Sequence, residues 1–554
     1  MKLIIKSNKI FQNTHENEDN VHFITQFFIP NDITRNNEIK FCLKKNVENN
    51  KIDKIHLLVE KLYSESELGI SSEKINQVFI NKRLTYADVF SYAKDLKGYI
   101  IFANADIFFQ SHSISVVKKS NMSTEKIFCA LLRYDYVNSS SHRIFGPRFD
   151  SQDSWIFHSN YNIPNFAIHL FSFFLGTPGC DNKIVYLMAI LGYEILNDPI
   201  SIPSFHVHSS KQRNYSHKDI IPEPWGMIIP FGFEPSSIVN SLGIQLKQFS
   251  VWSKNFTTLM YDDNDYLRNY IFAKLEKNQH FVIPRISGIE NNVAVFAKAV
   301  DEKLVPSIGQ LENYIANILG AMKNNAGIFL DNKQSIKNYS REYLSVFSMC
   351  DIFAGWDPQG NYIGHVAQSH AYIQNVYSSK SMIWALTFDI FHYIFSHPWT
   401  LALRGKRILI ISPFVDSIES QLRIREHIYG IDLFPECEFV LLKPPQTQAD
   451  EPAKDFVLEF DNFKKKVDNI LNDFDVALVS CGGYANPICA HIYMKGKSAI
   501  YVGGVLQMYF GILGNRWLKE RPEIVKLYRN QHWTRPKTHE RPKNSGKVEN
   551  GCYW

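Results

Sequence analysis

Apolar and polar positions fall along this chain in short blocks whose period keeps changing. His22 to Phe28 is a short apolar run rich in β-forming residues, and Glu38 to Asn46 then spaces its apolar positions as a helix does. Lys54 to Val59 (KIHLLV) is nearly continuous and is ended by Glu60; Tyr86 to Leu96 returns to helical spacing; Gly98 to Phe102 (GYIIF) is continuous again. Continuous runs of this length predict strands buried on both faces, and the spaced runs between them predict helices. Strand and helix in alternation predict βαβ units on a mostly parallel sheet. Ligands of such sheets bind where the strands end, so the loops after Phe28, Val59 and Phe102 are the places to search.

A second series of the same kind follows residue 250. Asp265 to Glu276 predicts a helix leading into the apolar His280 to Ile283. Arg407 to Ile411 (RILII) and Glu438 to Leu442 (EFVLL) predict strands, and Lys454 to Asn472 a long amphipathic helix. Asp475 to Ser480 predicts a strand running into the turn CGGYANP, followed by a helix from Ile488 to Met494 and a strand from Ser498 to Val502. The apolar, aromatic stretch from Met382 to Phe395, interrupted by Asp389 and His392, predicts a buried helix rather than a membrane span. No short-period repeat is present. The expected architecture is α/β, two Rossmann-like, mostly parallel-sheet domains in tandem, covering 1–245 and 246–554.

Composition narrows the picture only a little. The chain has 554 residues, 45% of them hydrophobic, enough for sizeable cores. A net charge of +5 over this length does not indicate nucleic-acid binding. From Arg516 to Lys547 ten Lys and Arg stand against three Glu. Such a stretch reads as a solvated arm, or as one that meets phosphates or an anionic membrane surface. Eight scattered cysteines without a CxxC pair, and an N-terminus without a signal-like apolar core, suit a reduced, cytoplasmic protein without a transmembrane segment.

Four local patterns carry candidate chemistry. Asn104-Ala105-Asp106 directly follows the strand GYIIF. A strand-end carboxylate there can hold a hard divalent cation, Mn²⁺ or Mg²⁺, or can simply close a turn onto its own backbone. Gly176 to Asn182 (GTPGCDN) precedes an apolar helical run, so Asp181 is either an N-cap or a general base poised at a helix N-terminus. Phe205 to Ser209 (FHVHS) places His206 and His208 on one face of a strand, as metal ligands or as structural imidazoles. Ser151 to Phe157 (SQDSWIF) mixes polar and aromatic side chains as a sugar-contacting loop would, with Asp153 as an alternative base.

Taken in order, Phe23 to Phe28, Asn104 to Ile107, Ser151 to Phe157, Gly179 to Asn182 and His206 to His208 resemble the GT-A type glycosyltransferase domains of bacterial polysaccharide loci and large DNA viruses, over about residues 20 to 220. The resemblance implies a nucleotide-sugar donor, a glycan acceptor and a divalent cation. It makes Asp106 the metal and diphosphate ligand, His208 a further metal ligand, Asp181 the base, and Gln26, Glu60 and Asn104 donor contacts. Asn104 stands where many members have a first Asp. In the second half, Pro284 to Glu290 (PRISGIE) resembles the R-x-G-D-G-E signature of GT-D type glycosyltransferases. Arg285 and Glu290 match, and Gly288 replaces the Asp. Arg285 suits a phosphate, and the amides of Gly482 and Gly483 could bind an anion, although an Arg–Glu pair is also an ordinary salt bridge and a glycine turn is common in α/β units. Together these features imply a transferase, bifunctional and inverting, acting on a growing glycan. The alternative keeps the first domain active and makes the second a binding or assembly module.

Overall fold

The computed structural model describes every residue except 1, 139, 147, 210–218, 234–255, 305–307, 357–364, 393, 396 and 397. The chain divides into two compact units, Met1–Thr258 and Leu259–Trp554. The boundary expected near residue 245 lies outside the described residues. Both units are α/β with mostly parallel sheets, the class expected from the alternating pattern.

In chain order the strands of the first unit are β1 (Lys2–Lys6), β2 (Val21–Thr25), β3 (Lys54–Val59), β4 (Ile75–Phe79), β5 (Tyr99–Ala103), β6 (Ile107–Phe109), β7 (Ile127–Leu131), β8 (Tyr134–Asn138), β9 (Ser141–Ile144), β10 (Ser154–His158), β11 (Glu194–Leu196), β12 (Ser204–His206) and β13 (Trp225–Ile229). The main sheet runs β11-β7-β10-β5-β2-β3-β4. Within it β10 alone is antiparallel to its neighbours. β2 and β5 are buried at every position, which is why they read as continuous apolar runs. Much of the aromatic content is spent in the core, where Phe102 stacks on Trp155 at 5.2 Å and Tyr86 meets both edge-on.

A second sheet, β6-β12-β8-β9, lies beside the first, and two of the chain's crossings between them are only two or three residues long. One crossing is Asn104 to Asp106, between β5 and β6; the other is Leu132 and Arg133, between β7 and β8. The buried Asn46 side chain pins the first crossing, donating to Ile107 O at 2.9 Å and accepting from Phe109 N at 3.1 Å.

In the second unit β14 (Val282–Ile283), β15 (Ile352–Gly355), β16 (Ser381–Trp384), β17 (Arg407–Ile411), β18 (Glu438–Leu442), β19 (Val476–Val479) and β20 (Ser498–Tyr501) follow. Five form the all-parallel sheet β14-β20-β19-β17-β18, and β15 pairs with β16. Helix Lys333–Met349 packs against helices Ile289–Asp301 and Ala485–Met494 over this core.

Two expectations are corrected here. The stretch from Met382 is buried at Ile383, Phe388 and Ile390, but it is not a helix. Its backbone pairs with β15 through Trp384 and continues as 3-10 turns at Ala385–Phe388 and Ile390–His392. A short apolar run reports burial without a period that would tell strand from helix. The basic stretch from Arg516 is not a solvated arm either. Trp517, Ile524 and Tyr528 are buried, and Glu540, wholly buried, accepts from Asp416 N at 2.9 Å and Ser417 N at 3.1 Å. That carboxylate satisfies the open amides at the start of helix Val415–Leu422. All eight cysteines are buried and unpaired. No helix among the described residues is long and apolar enough to cross a membrane.

Candidate functional site

The parallel register of β5, β2 and β3 brings their carboxyl ends to one edge, so Gln26, Glu60 and Asn104 share it. The antiparallel β10 starts at that edge and adds Asp153, and Arg133 follows the end of β7. The second sheet supplies the rest: β6 leads away from Asp106, and β12, hydrogen-bonded beside it, carries His206 with His208 just beyond. The two imidazoles stack at 5.3 Å, on one side of the strand as the alternation requires. Helix Ile33–Glu48, capped by Asp32, delivers Arg35 and Glu38 from its first turns.

Asp106 is the centre of this arrangement. Its side chain is 6% exposed, and its Oδ2 lies 2.7 Å from Arg35 Nη1 and 2.9 Å from His206 Nε2. Burial alone would raise its carboxyl, but His206 and Arg35 outweigh burial and hold it far below the usual carboxylate range. Burial works against a charge on His206 as well; Asp106 wins, and the imidazole is pushed up to about 9. His206 is therefore an imidazolium at neutral pH, and its other nitrogen faces Asp135 at 3.7 Å. His208 goes the other way: burial, then the charges of His206 and Arg35, lower it. It is thus neutral, and its Nδ1 accepts from Arg35 Nη1 at 2.9 Å.

Asp106, His206 and His208 offer ligand atoms that all lie within 4.8 Å of one another. Two buried atoms of this set, Asp106 Oδ1 and His208 Nε2, have no hydrogen-bond partner. Orphaned buried acceptors and donors of this kind call for a missing partner, and a carboxylate with two imidazoles, His206 giving up its proton as the ion binds, is a donor set that a divalent transition ion fits.

An ion-paired chain leads from here to the carboxylates on the far side. Asp135 pairs with Arg133 at 3.3 Å, Arg133 pairs with Asp153, and Asp153 accepts from Asn104 Nδ2 at 2.9 Å. Asp181 lies one step further, accepting from Gln152 N at 3.3 Å. It is not the helix cap. Gly179, at φ +80°, holds that position for helix Cys180–Ile190, and Asp181 sits in the first turn, accepting from Asn182 N at 3.0 Å. Burial first, then the nearby Asp153 and Asp150, push its carboxyl up to about 7. A group that titrates there can take a proton at neutral pH.

Of the remaining residues singled out in the first unit, Gln26 borders a small cavity with Phe23, Ile39 and Ala105, and Glu60 is exposed at its strand end. Arg35, Glu38, Arg133 and Asp135 belong to the same network and were missed. His206 lies in the FHVHS motif, where either imidazole can be a ligand, but the resemblance singles out His208 alone. Only His206 had a readable signal, its alternation with His208.

The second unit gathers a different set. Arg285 follows β14, donates through Nη1 to Val502 O at 2.6 Å and lies over the Trp356 ring at 5.1 Å. Gly503, at φ +85°, gives it room: a Cβ there would meet Nη1 at 2.7 Å. Glu290, in the first turn of helix Ile289–Asp301, is 9% exposed and does not pair with Arg285; burial pushes it up to about 7. Gly288 faces open space, with nothing within 4 Å of a Cβ placed on it. Gly482 and Gly483 lie past β19 and pack closely on a neighbouring segment, Gly482 on the Ala326 carbonyl and Gly483 on Ile328. Asn486, in the next helix, links them to Arg285 by donating to its carbonyl at 2.9 Å.

No family model and no curated protein matches the chain. Among solved structures it is similar to the mannosyltransferase PcManGT from Pyrobaculum calidifontis in complex with GDP-Man and Mn²⁺, at 12% identity over 37% of this chain and 61% of that one, with a TM-score of 0.25. It is also similar to GalNAc-T7 with UDP, GalNAc and Mn²⁺, at 10% identity over 44% and 52%, with a TM-score of 0.27. A domain of unknown function, DUF1792, matches at 13% identity over 53% of this chain and 94% of that one, with a TM-score of 0.28. The chain thus spans less than two thirds of each of the first two proteins. With every TM-score far below 0.5, the functional reading rests on the site's own geometry.

Proposed function

We propose that the first unit is a nucleotide-sugar-dependent glycosyltransferase of GT-A type that transfers a sugar to a hydroxyl of a growing glycan. The observation that carries this reading is the convergence of Asp106, His206 and His208, with two orphaned buried atoms, at the carboxyl edge of the sheet. A mixed imidazole and carboxylate set favours Mn²⁺ over Mg²⁺, which prefers oxygen alone. A cation bound there would supply positive charge to a departing diphosphate. Asp106 and His208 would hold it, Asn104 and Gln26 line the donor side of the edge, and Arg133 pairs with Asp153 beside them. Asp181, poised near neutrality, takes the proton from the acceptor hydroxyl, which suits inversion by direct displacement.

The second unit, in this proposal, is a GT-D-like transferase that forms a different linkage, with Arg285 and the glycine turns facing the donor diphosphate. A second reading has a specific observation behind it. Gly288 leaves open space where the signature carries its Asp, and Glu290 has no cationic partner among the described residues, so the unit could bind a nucleotide or glycan without turning it over.

Turnover of UDP-, GDP- and dTDP-sugars by the full chain, with Mn²⁺ and with EDTA, tests the proposal. Release of nucleoside diphosphate that EDTA abolishes is expected from the first unit. A chain that binds none of the three donors would overturn it. In the Asp106→Asn chain, residual EDTA-resistant turnover of a donor would mark the second unit as active, and binding without turnover would favour the module.

A further inference from the structure

The candidate ion site already holds a cation of the chain's own. Arg35 Nη1 stands 2.7 Å from Asp106 Oδ2 and 2.9 Å from His208 Nδ1, between two of the three groups that would ligate a metal. A guanidinium keeps its proton at any physiological pH, so this charge cannot be switched off by titration. A divalent ion beside it would meet a like charge, and Arg35 already engages Asp106 Oδ2 and His208 Nδ1, so only Oδ1 and Nε2 are left open to the ion.

From this geometry we propose that Arg35 is an internal competitor for the divalent cation. It neutralises Asp106 while the ion is away and must swing off before the ion binds. Glu38 provides the place to swing to. It is three residues on in the same helix, 3.1 Å from Arg35, and it is held in place by Ser209, whose amide and hydroxyl both donate to its Oε1. The guanidinium can thus release Asp106 and His208 and keep a buried anionic partner. The same exchange would free His208 Nδ1 and let the ring take either tautomer, so that one nitrogen or the other can serve as the ligand. The site then has two arrangements, one closed by Arg35 and one closed by metal, and its apparent ion affinity is the intrinsic one reduced by the fraction of open sites. This inference rests on the metal reading of the preceding section.

Arg35→Met keeps most of the side-chain volume and removes the charge. Titration calorimetry with Mn²⁺ alone, and melting in EDTA and in Mn²⁺, test the exchange on the full chain. The variant is expected to bind Mn²⁺ about tenfold more tightly or better, the scale of effects that neighbours exert on metal ligands. It is also expected to melt at lower temperature than the natural protein in EDTA, because Asp106 has lost a partner, and to gain more from Mn²⁺. Arg35→Gln, which retains a hydrogen-bonding end, replaces it if the Met variant does not fold. Mn²⁺ binding that is equal or weaker in the neutral variant would overturn the competition while leaving the metal site standing. Absence of Mn²⁺ binding in both proteins would overturn the metal reading itself. A purely structural Arg35 predicts the lower melting temperature without the tighter binding.

Discussion

Both units bring polar side chains to the carboxyl ends of a parallel sheet, but they handle buried charge in opposite ways. In the first unit Asp106 is buried and ionised, matched by an imidazolium and a guanidinium, and a chain of pairs continues through Asp135, Arg133 and Asp153. In the second, Glu290 is also buried but has no ion-pair partner among the described residues, while Arg285 spends its Nη1 on a backbone carbonyl. A buried charge is tolerated when paired and is otherwise neutralised by a shifted pKa. The first edge is therefore organised to hold charge at a fixed place, and the second keeps its acid uncharged up to about pH 7. The contrast suits a catalytic centre in the first unit and leaves the chemistry of the second more open.

The largest effect should come from Asp106→Asn. Removing one member of a buried ionic cluster costs about 3–5 kcal/mol, because its partners are left uncompensated. We expect a lower melting temperature together with complete loss of EDTA-sensitive donor turnover. A variant that melts and turns over like the natural protein would dissolve the distinction between the units.

Asp181→Asn should lower turnover by about 10²- to 10⁴-fold with little change in donor affinity. A base works in its deprotonated form, so the natural protein's rate should climb as pH rises through about 7 and the variant's should lose that limb. Loss of donor binding at unchanged turnover would instead make Asp181 a binding residue and Asp153 the better base.

The smallest effect sharpens the comparison from the other side. Glu290 is raised from its ordinary 4.5 to about 7, so the folded protein holds this proton where the unfolded chain releases it. Stability from this group is full below about pH 4.5, declines as pH rises toward 7 and is lost above it. Glu290→Gln should flatten that decline in melting curves between pH 5 and 8, scanned in steps of roughly one unit. An unchanged slope would mean that Glu290 is charged and paired after all.

Much of this architecture was legible. Lys54–Val59, Arg407–Ile411 and Glu438–Leu442 appear as strands with the bounds read from the sequence, since strands in a parallel sheet carry uninterrupted apolar runs between polar breaks. The proposed ligands Asp106 and His208 were legible for a related reason: each follows a strand in a short local motif. Arg35 and Asp135 were not, because they reach Asp106 and His206 only through pairings that join segments some 70 residues apart or more, as between Arg35 and Asp106. No period in the sequence encodes a crossing between two sheets. The stretch from Met382 failed for the reason already seen: burial was written there, and backbone pairing was not.

The cap that Glu540 places on helix Val415–Leu422 sets an order of events during synthesis. Its partner Asp416 lies 124 residues earlier in the chain. At ribosomal speeds of about 5–20 residues per second, that helix waits roughly 6–25 s for the carboxylate that covers its first amides. The first unit has by then been complete for longer still. A nascent chain arrested short of residue 540 should therefore carry a folded first unit and an unfinished second one, vulnerable to proteolysis at the open start of that helix.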